Sequence, residues 1–76
     1  MANSASVQRQ QILDWLQTKP LSTIEAREQL GIMHPGGRVS ELRRQGHSIV
    51  TNEASEVDAA GKIHRVAKYV LDVPGV

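Results

Sequence analysis

The chain has 76 residues and a formal net charge of +1, from nine Lys and Arg against eight Asp and Glu. This length predicts a single domain over residues 1–76, with an ordered core over about 6–72, and leaves little room for a deep catalytic pocket. Cysteine is absent, which excludes disulfides and thiolate metal sites and suits a reducing cytoplasm. No apolar run is long enough for a signal peptide or a membrane span, so we expect a cytoplasmic protein without a membrane partner.

The first predicted helix begins at a Ser6 cap and runs to about Thr18, after a disordered start over residues 1–5. Apolar residues recur at helical spacing within it and predict a buried stripe. Trp15 belongs to that stripe, so we expect it to pack in the core and not to stack on a nucleic-acid base. Pro20 ends the helix, because the residue before a proline is pushed out of the α-helical region.

A second short helix follows an isolated apolar residue. That residue, Leu21, is predicted to form a single bridge to a later hairpin. Ser22 and Glu25 have the spacing of a capping box, which predicts a helix start, and Gly31 is suited to the left-handed conformation that ends a helix. The two apolar residues after it are expected to pack into the core: Ile32 and Met33.

The third predicted helix is basic. Its firm part covers Arg38–Gln45, while Pro35 suits the first turn and the two glycines after it weaken that turn. Arg43 is predicted near the edge of the core, where it suits an ion pair or a flanking phosphate. The polar side chains predicted on or beside the exposed face are Arg38, Ser40, Glu41, Arg44 and Gln45.

Two β-like segments complete the pattern. His47–Asn52 is rich in β-branched residues, and Ile63–Leu71 alternates so that Tyr69 faces the core and Lys68 faces solvent. A polar, acidic loop is predicted between them, over Glu53–Gly61. The cations of the second segment and those of the third helix would form one basic face if the helix and hairpin pack together.

Three helices followed by a C-terminal β-hairpin, ending at Pro74-Gly75, predict an α+β fold of the winged helix-turn-helix type. The runs E-A-R-E-Q-L-G-I, G-R-V-S-E-L-R-R-Q-G-H-S-I and R-V-A-K-Y-V-L resemble small winged helix-turn-helix DNA-binding domains of bacterial and phage proteins. The resemblance covers roughly residues 7–71. It implies that the third helix enters the major groove of double-stranded DNA and that the wing contacts the minor groove or backbone.

The predicted site follows from this arrangement and from side-chain chemistry. Arg pairs with guanine, Gln with adenine and Glu with cytosine, so the exposed face of the third helix suits base edges. On the hairpin, cationic groups are expected to touch phosphates. The predicted base-facing residues are Arg38, Ser40, Glu41, Arg44 and Gln45, and the predicted wing residues are Lys62, His64 and Arg65.

Competing interpretations remain open at this point. The helix is also consistent with an ordinary solvated surface, and Arg38 with a structural tether to Glu41 or to a carbonyl. A winged helix can instead serve as a protein-interaction module without DNA binding, which the small net charge and the acidic segment Glu53–Asp58 favour. A homodimer on DNA is a further open alternative.

No cofactor, metal or catalytic constellation is predicted. The three histidines, His34, His47 and His64, lack metal-ligand spacing, and no nucleophile and base are placed together by the sequence. We therefore expect a non-enzymatic protein, either a small transcriptional regulator or a phage or prophage accessory factor.

Overall fold

The computed structural model describes residues 4–72, and within them it shows three helices and a three-stranded antiparallel sheet. In chain order the elements are α1 (Ala5–Leu16), β1 (Leu21–Ser22), α2 (Thr23–Gln29), α3 (Pro35–Arg44), β2 (Ile49–Val57) and β3 (Ile63–Leu71). The strand order is β1-β3-β2. This confirms the predicted α+β architecture of three helices and a C-terminal hairpin. Among the described residues, no helix combines the length and apolar character needed to cross a bilayer.

The first helix begins earlier than predicted. Ser4 caps it by accepting a hydrogen bond from the Val7 amide at 3.2 Å, so the predicted Ser6 cap is wrong. The predicted disordered start is wrong for residues 4–5, which cap and begin the helix. The rest of that predicted segment, residues 1–3, lies outside the described residues.

Trp15 organises the other end of α1. Its carbonyl oxygen accepts hydrogen bonds from the Thr18 and Lys19 amides at 3.0 and 3.2 Å, so the helix ends at Leu16 and not at Thr18. Its indole Nε1 donates to the Pro20 carbonyl at 2.8 Å, and its ring packs against the core. The predicted packing role of Trp15 is therefore confirmed.

The start of α2 follows its prediction closely. The Glu25 amide donates to Ser22 Oγ at 3.0 Å, and Glu25 Oε1 accepts from the Ser22 amide at 2.9 Å, which is the predicted capping box. Leu21 pairs with Tyr69 of the hairpin as predicted, but Ser22 pairs with Lys68 beside it, so the contact is a two-residue strand and not a single bridge. Gly31 follows the helix with φ of 68°, in the left-handed region that glycine tolerates.

The third helix starts at Pro35, three residues before the predicted firm segment Arg38–Gln45, and it ends at Arg44. The proline ring presets a helical φ at the first position, and neither Gly36 nor Gly37 has a positive φ. The two glycines are thus compatible with the helix and do not delay its start.

The core is aliphatic apart from one tyrosine. Its buried members are Ile12, Leu16, Leu21, Ala26, Ile32, Val39, Leu42, Ile49 and Tyr69. Ile32 is held by a hydrogen bond from its amide to the Ala26 carbonyl at 3.0 Å, which turns the chain inward after α2. The next residue, Met33, is 62% exposed, so the prediction that it packs into the core is wrong.

The hairpin is longer than predicted. β2 covers Ile49–Val57, so the predicted first wing strand is present but its predicted bounds, His47–Asn52, are wrong. The loop predicted over Glu53–Gly61 is too long, since the turn is confined to residues 58–62. Cross-strand pairing with β3 explains the difference, because it continues to the last residue of β2 despite the poor strand propensity of glutamate. The predicted bounds of β3 are correct, whereas the predicted end of the fold at residues 74–75 lies outside the described residues.

Candidate nucleic-acid interface

α3 separates a buried side from an exposed side. Pro35, Val39 and Leu42 recur at helical spacing and pack inward. The sequence of α3 contains three Arg and one Glu, which gives three minus one, a net charge of +2. The exposed residues at the helix and its C-cap are Gly36, Gly37, Ser40, Arg43, Arg44 and Gln45.

Three of the predicted base-facing residues are exposed and unengaged. The side chains of Ser40, Arg44 and Gln45 make no hydrogen bond or ion pair with any of residues 4–72. A solvated guanidinium, amide or hydroxyl can exchange water for a base edge without breaking a contact inside the protein. These three side chains therefore have the accessibility that direct readout requires.

Arg38 and Glu41 are engaged with each other and with α1. Glu41 Oε1 accepts a hydrogen bond from Arg9 at 2.7 Å, and Glu41 Oε2 accepts one from Arg38 at 3.0 Å. The three side chains are only 23–25% exposed. The hydrogen bond from Arg9, followed by the positive charges of Arg38, Arg9 and Arg44, holds the pKa of Glu41 below its ordinary value. Both carboxylate oxygens are thus already occupied, and the tether considered for Arg38 is present.

Arg9 is absent from the site that the sequence predicted. It lies 32 residues from Glu41 along the chain, and it reaches Glu41 because α1 packs against α3. No local motif marks this residue. The one available signal is that Arg9 is a long cationic side chain on α1, a helix that packs beside α3. Its partner, Glu41, follows only from the tertiary structure.

Arg43 braces the opposite flank of α3 against the sheet. Its Nε donates to the Ile49 carbonyl at 2.8 Å, and its Nη2 donates to Thr51 Oγ1 at 2.7 Å. This position beside the core agrees with its prediction, although its partners are neutral groups and not a carboxylate. Arg43 therefore links α3 to the first wing strand.

The three predicted wing residues do not share one face. Lys62 lies exposed in the turn, whereas His64 and Arg65 are neighbours in β3, whose side chains point to opposite faces of the sheet. His64 Nε2 lies 2.7 Å from Asp58, and Arg65 forms an ion pair with Glu53. Lys62 is the only one of these three wing residues without a side-chain partner among residues 4–72.

Asp58 organises the wing turn. One of its oxygens accepts hydrogen bonds from the Ala60 and Lys62 amides, both at 2.9 Å, and the other oxygen lies beside His64. The backbone hydrogen bond from Lys62 comes first, and the contact with His64 second, in holding the pKa of Asp58 below its ordinary value. The carboxylate thus fixes the loop that presents Lys62.

The charge of the wing differs from that of α3. From residue 49 to residue 71 there are three Asp and Glu and three Lys and Arg, so the hairpin is neutral when His64 is neutral. Each acidic side chain in this range is paired with a cation or with His64. These ion pairs lie within one hairpin and leave it without net charge, so the positive charge is concentrated on α3 and not shared equally with the wing.

The described part of the chain offers no cluster of side chains that could hold a metal ion. Residues 4–72 contain no group of three or more His, Cys, Asp or Glu side chains placed to hold a metal ion. The pairing of His64 with Asp58 is accounted for by the wing turn.

The comparisons with known proteins agree with this fold. No curated protein and no solved structure was found to match the chain. The family model described as a winged helix-turn-helix domain matches residues 7–74, which is most of the chain. The chain therefore belongs to the winged helix-turn-helix domain family.

Proposed function

We propose that this domain binds double-stranded DNA by placing α3 in the major groove. The observation that carries the proposal is the outward side of α3 and its C-cap, where the side chains of Ser40, Arg44 and Gln45 are exposed and have no partner among residues 4–72. The helix itself has a net charge of +2. An α-helix fits the major groove, where arginine and glutamine side chains can pair with base edges. The family of the chain supports the same proposal.

The wing is proposed to contact the DNA backbone. Lys62 supports this most directly, because it is exposed at the turn and has no side-chain partner among residues 4–72. His64 and Arg65 would contact phosphate only by sharing or exchanging their carboxylate partners. We therefore rank Lys62 above the other two as a phosphate contact.

The proposed role is that of a small cytoplasmic transcriptional regulator or a phage or prophage accessory factor, without enzymatic activity. Few cations without a partner among residues 4–72 face outward, so binding by one domain should be weak, and because it depends on phosphate contacts it should weaken further as salt rises. Binding as a homodimer would add a second set of contacts and raise the affinity.

One observation favours a second candidate function, that of a protein-interaction module. Val57 and Ile63 lie directly opposite each other at the tip of the wing and are 60% and 74% exposed. Exposed apolar side chains that lie together are typical of protein contacts. The neutral charge of the hairpin also suits a protein partner better than a polyanion.

A salt series with matched variants separates the two functions. Fluorescence anisotropy of a labelled mixed-sequence duplex should show binding that weakens steeply between about 50 mM and about 200 mM salt. Arg44→Ala should weaken it by at least about fivefold. Lys19→Ala removes the same charge from the turn after α1, where Lys19 covers the Trp15 ring, and should have a smaller effect. No binding by the wild-type chain, or equal effects of both variants, would contradict the proposal.

A further inference from the structure

Two guanidinium groups contact one carboxylate where α1 packs against α3. Arg9 and Arg38 hydrogen-bond to separate oxygens of Glu41, and Arg44 is close enough for its charge to act on the same group. The side chains of Arg9, Arg38 and Glu41 are about three-quarters covered, so their conformations are more restrained than those of solvated side chains. We name Arg9, Glu41 and Arg38 the α1–α3 clamp.

The clamp retains positive charge and hydrogen-bonding capacity. Two guanidinium groups and one carboxylate leave a net charge of +1. Each guanidinium has several N–H donors, of which Glu41 receives one from each. Arg38 Nε is covered and has no partner among residues 4–72. Both oxygens of Glu41 therefore have a donor, whereas each arginine has more N–H donors than Glu41 accepts.

The position of the clamp suits a phosphate at one side of a groove. A helix with its side chains is about 10–12 Å across and the major groove is about 12 Å wide, so a helix seated there has a phosphate strand on each flank. Arg43 and Thr51 lie on the flank of α3 toward the sheet, whereas the clamp lies on the flank toward α1.

We propose that Glu41 is a positioning residue which holds Arg9 and Arg38 ready to bind one DNA backbone phosphate on the α1 side of α3. This inference rests on the proposed DNA-binding function and adds Arg9 to the interface. Glu41 in this role does not read cytosine. Its carboxylate reduces the rotamer freedom that two long side chains would otherwise lose when they meet the phosphate.

The role predicts an affinity change opposite in sign to simple electrostatics. Removing a negative charge from a DNA-facing surface strengthens attraction to a polyanion, so Glu41→Gln would bind more tightly if Glu41 were only a nearby charge. If Glu41 positions the arginines, the same variant releases them and binds about three- to tenfold more weakly. Asp14→Asn is the matched control, because it removes one exposed carboxylate on α1 that contacts Gln10 and no arginine.

Fluorescence anisotropy with a mixed-sequence duplex, at several salt concentrations, tests this directly. Circular dichroism would first establish the temperature at which each variant is folded. Glu41→Gln should weaken binding while Asp14→Asn does not. Arg9→Gln should weaken binding. It should also make the negative slope of log K against log salt shallower, by about 0.9.

The outcomes distinguish this inference from the function on which it rests. Unchanged or tighter binding by Glu41→Gln, or an unchanged salt slope for Arg9→Gln, would overturn the positioning role while DNA binding by the wild-type chain stands. Absence of wild-type binding at every salt concentration would refute the proposed function and the inference together. Arg9→Gln keeps the test decisive if Glu41→Gln does not fold.

Discussion

Two glycines allow a paired test of backbone conformation in this fold. A Cβ atom added at Gly31 or at Gly37 would meet no heavy atom within 4 Å, so alanine fits into the space at both positions. The two differ in backbone geometry, since Gly31 has φ of 68° and Gly37 lies in α3 without a positive φ. The same substitution should therefore have opposite effects on stability.

The expected magnitudes follow from that difference. Gly37→Ala should raise the free energy of unfolding by about 0.4–1 kcal/mol, because it reduces the freedom of the unfolded chain at a compatible position. Gly31→Ala should lower it by about 1–2 kcal/mol, because an L side chain in the left-handed region is strained. For a domain of this size, the two melting temperatures should differ by on the order of 10 °C.

Thermal unfolding followed by far-ultraviolet circular dichroism measures both variants beside the wild-type chain. The expected order of melting temperature is Gly37→Ala, wild type, Gly31→Ala. A Gly37→Ala variant less stable than wild type would show that α3 does not begin at Pro35 as described. A Gly31→Ala variant as stable as wild type would refute the left-handed turn between α2 and α3.

Three further predictions concern the cap, the brace and the clamp. Ser22→Ala removes the capping box and should cost about 1–2 kcal/mol in urea unfolding, whereas Ser6→Ala, at an exposed position inside α1, should not destabilise. Arg43→Met should lower stability by about 1 kcal/mol and Arg44→Met by less than about 0.5, since of these two side chains only that of Arg43 has hydrogen-bond partners among residues 4–72. The lowered pKa of Glu41 means that its charged form stabilises the fold above the ordinary pKa of 4.5 and that this stabilisation is lost as pH falls through the lowered value. Between about pH 6 and about pH 3, the melting temperature of Glu41→Gln should therefore fall less than that of the wild-type chain. Equal falls in melting temperature would show that the charged form of Glu41 is not stabilised by the clamp.

Local signals predicted the parts of the fold that local chemistry determines. The capping box of Ser22 and Glu25 and the left-handed Gly31 set the ends of α2 without help from distant residues. The alternation in β3 likewise gave correct bounds, because one side of that strand meets the core. Prediction failed for β2, whose acidic second half becomes a strand only because β3 pairs with it.

The candidate site shows the same division between local and distant information. The exposure of Ser40 and Arg44 follows from helical periodicity, which the sequence contains. The engagement of Glu41 does not, because Arg9 comes from another helix. Pairing of Arg65 with Glu53 depends on a strand register that continues past Asn52, the last residue of the segment predicted as the first wing strand. Residues that match a binding chemistry in sequence can thus be occupied by partners that only the tertiary structure supplies.

The most direct test of DNA binding through α3 is an NMR titration of the labelled chain with a mixed-sequence duplex, at low and then moderate salt. DNA binding through α3 predicts amide shifts that are concentrated in α3, at Arg9 and in the wing turn over residues 58–62, and that fade as salt rises. Shifts absent at low salt, or confined to residues remote from α3, would contradict it.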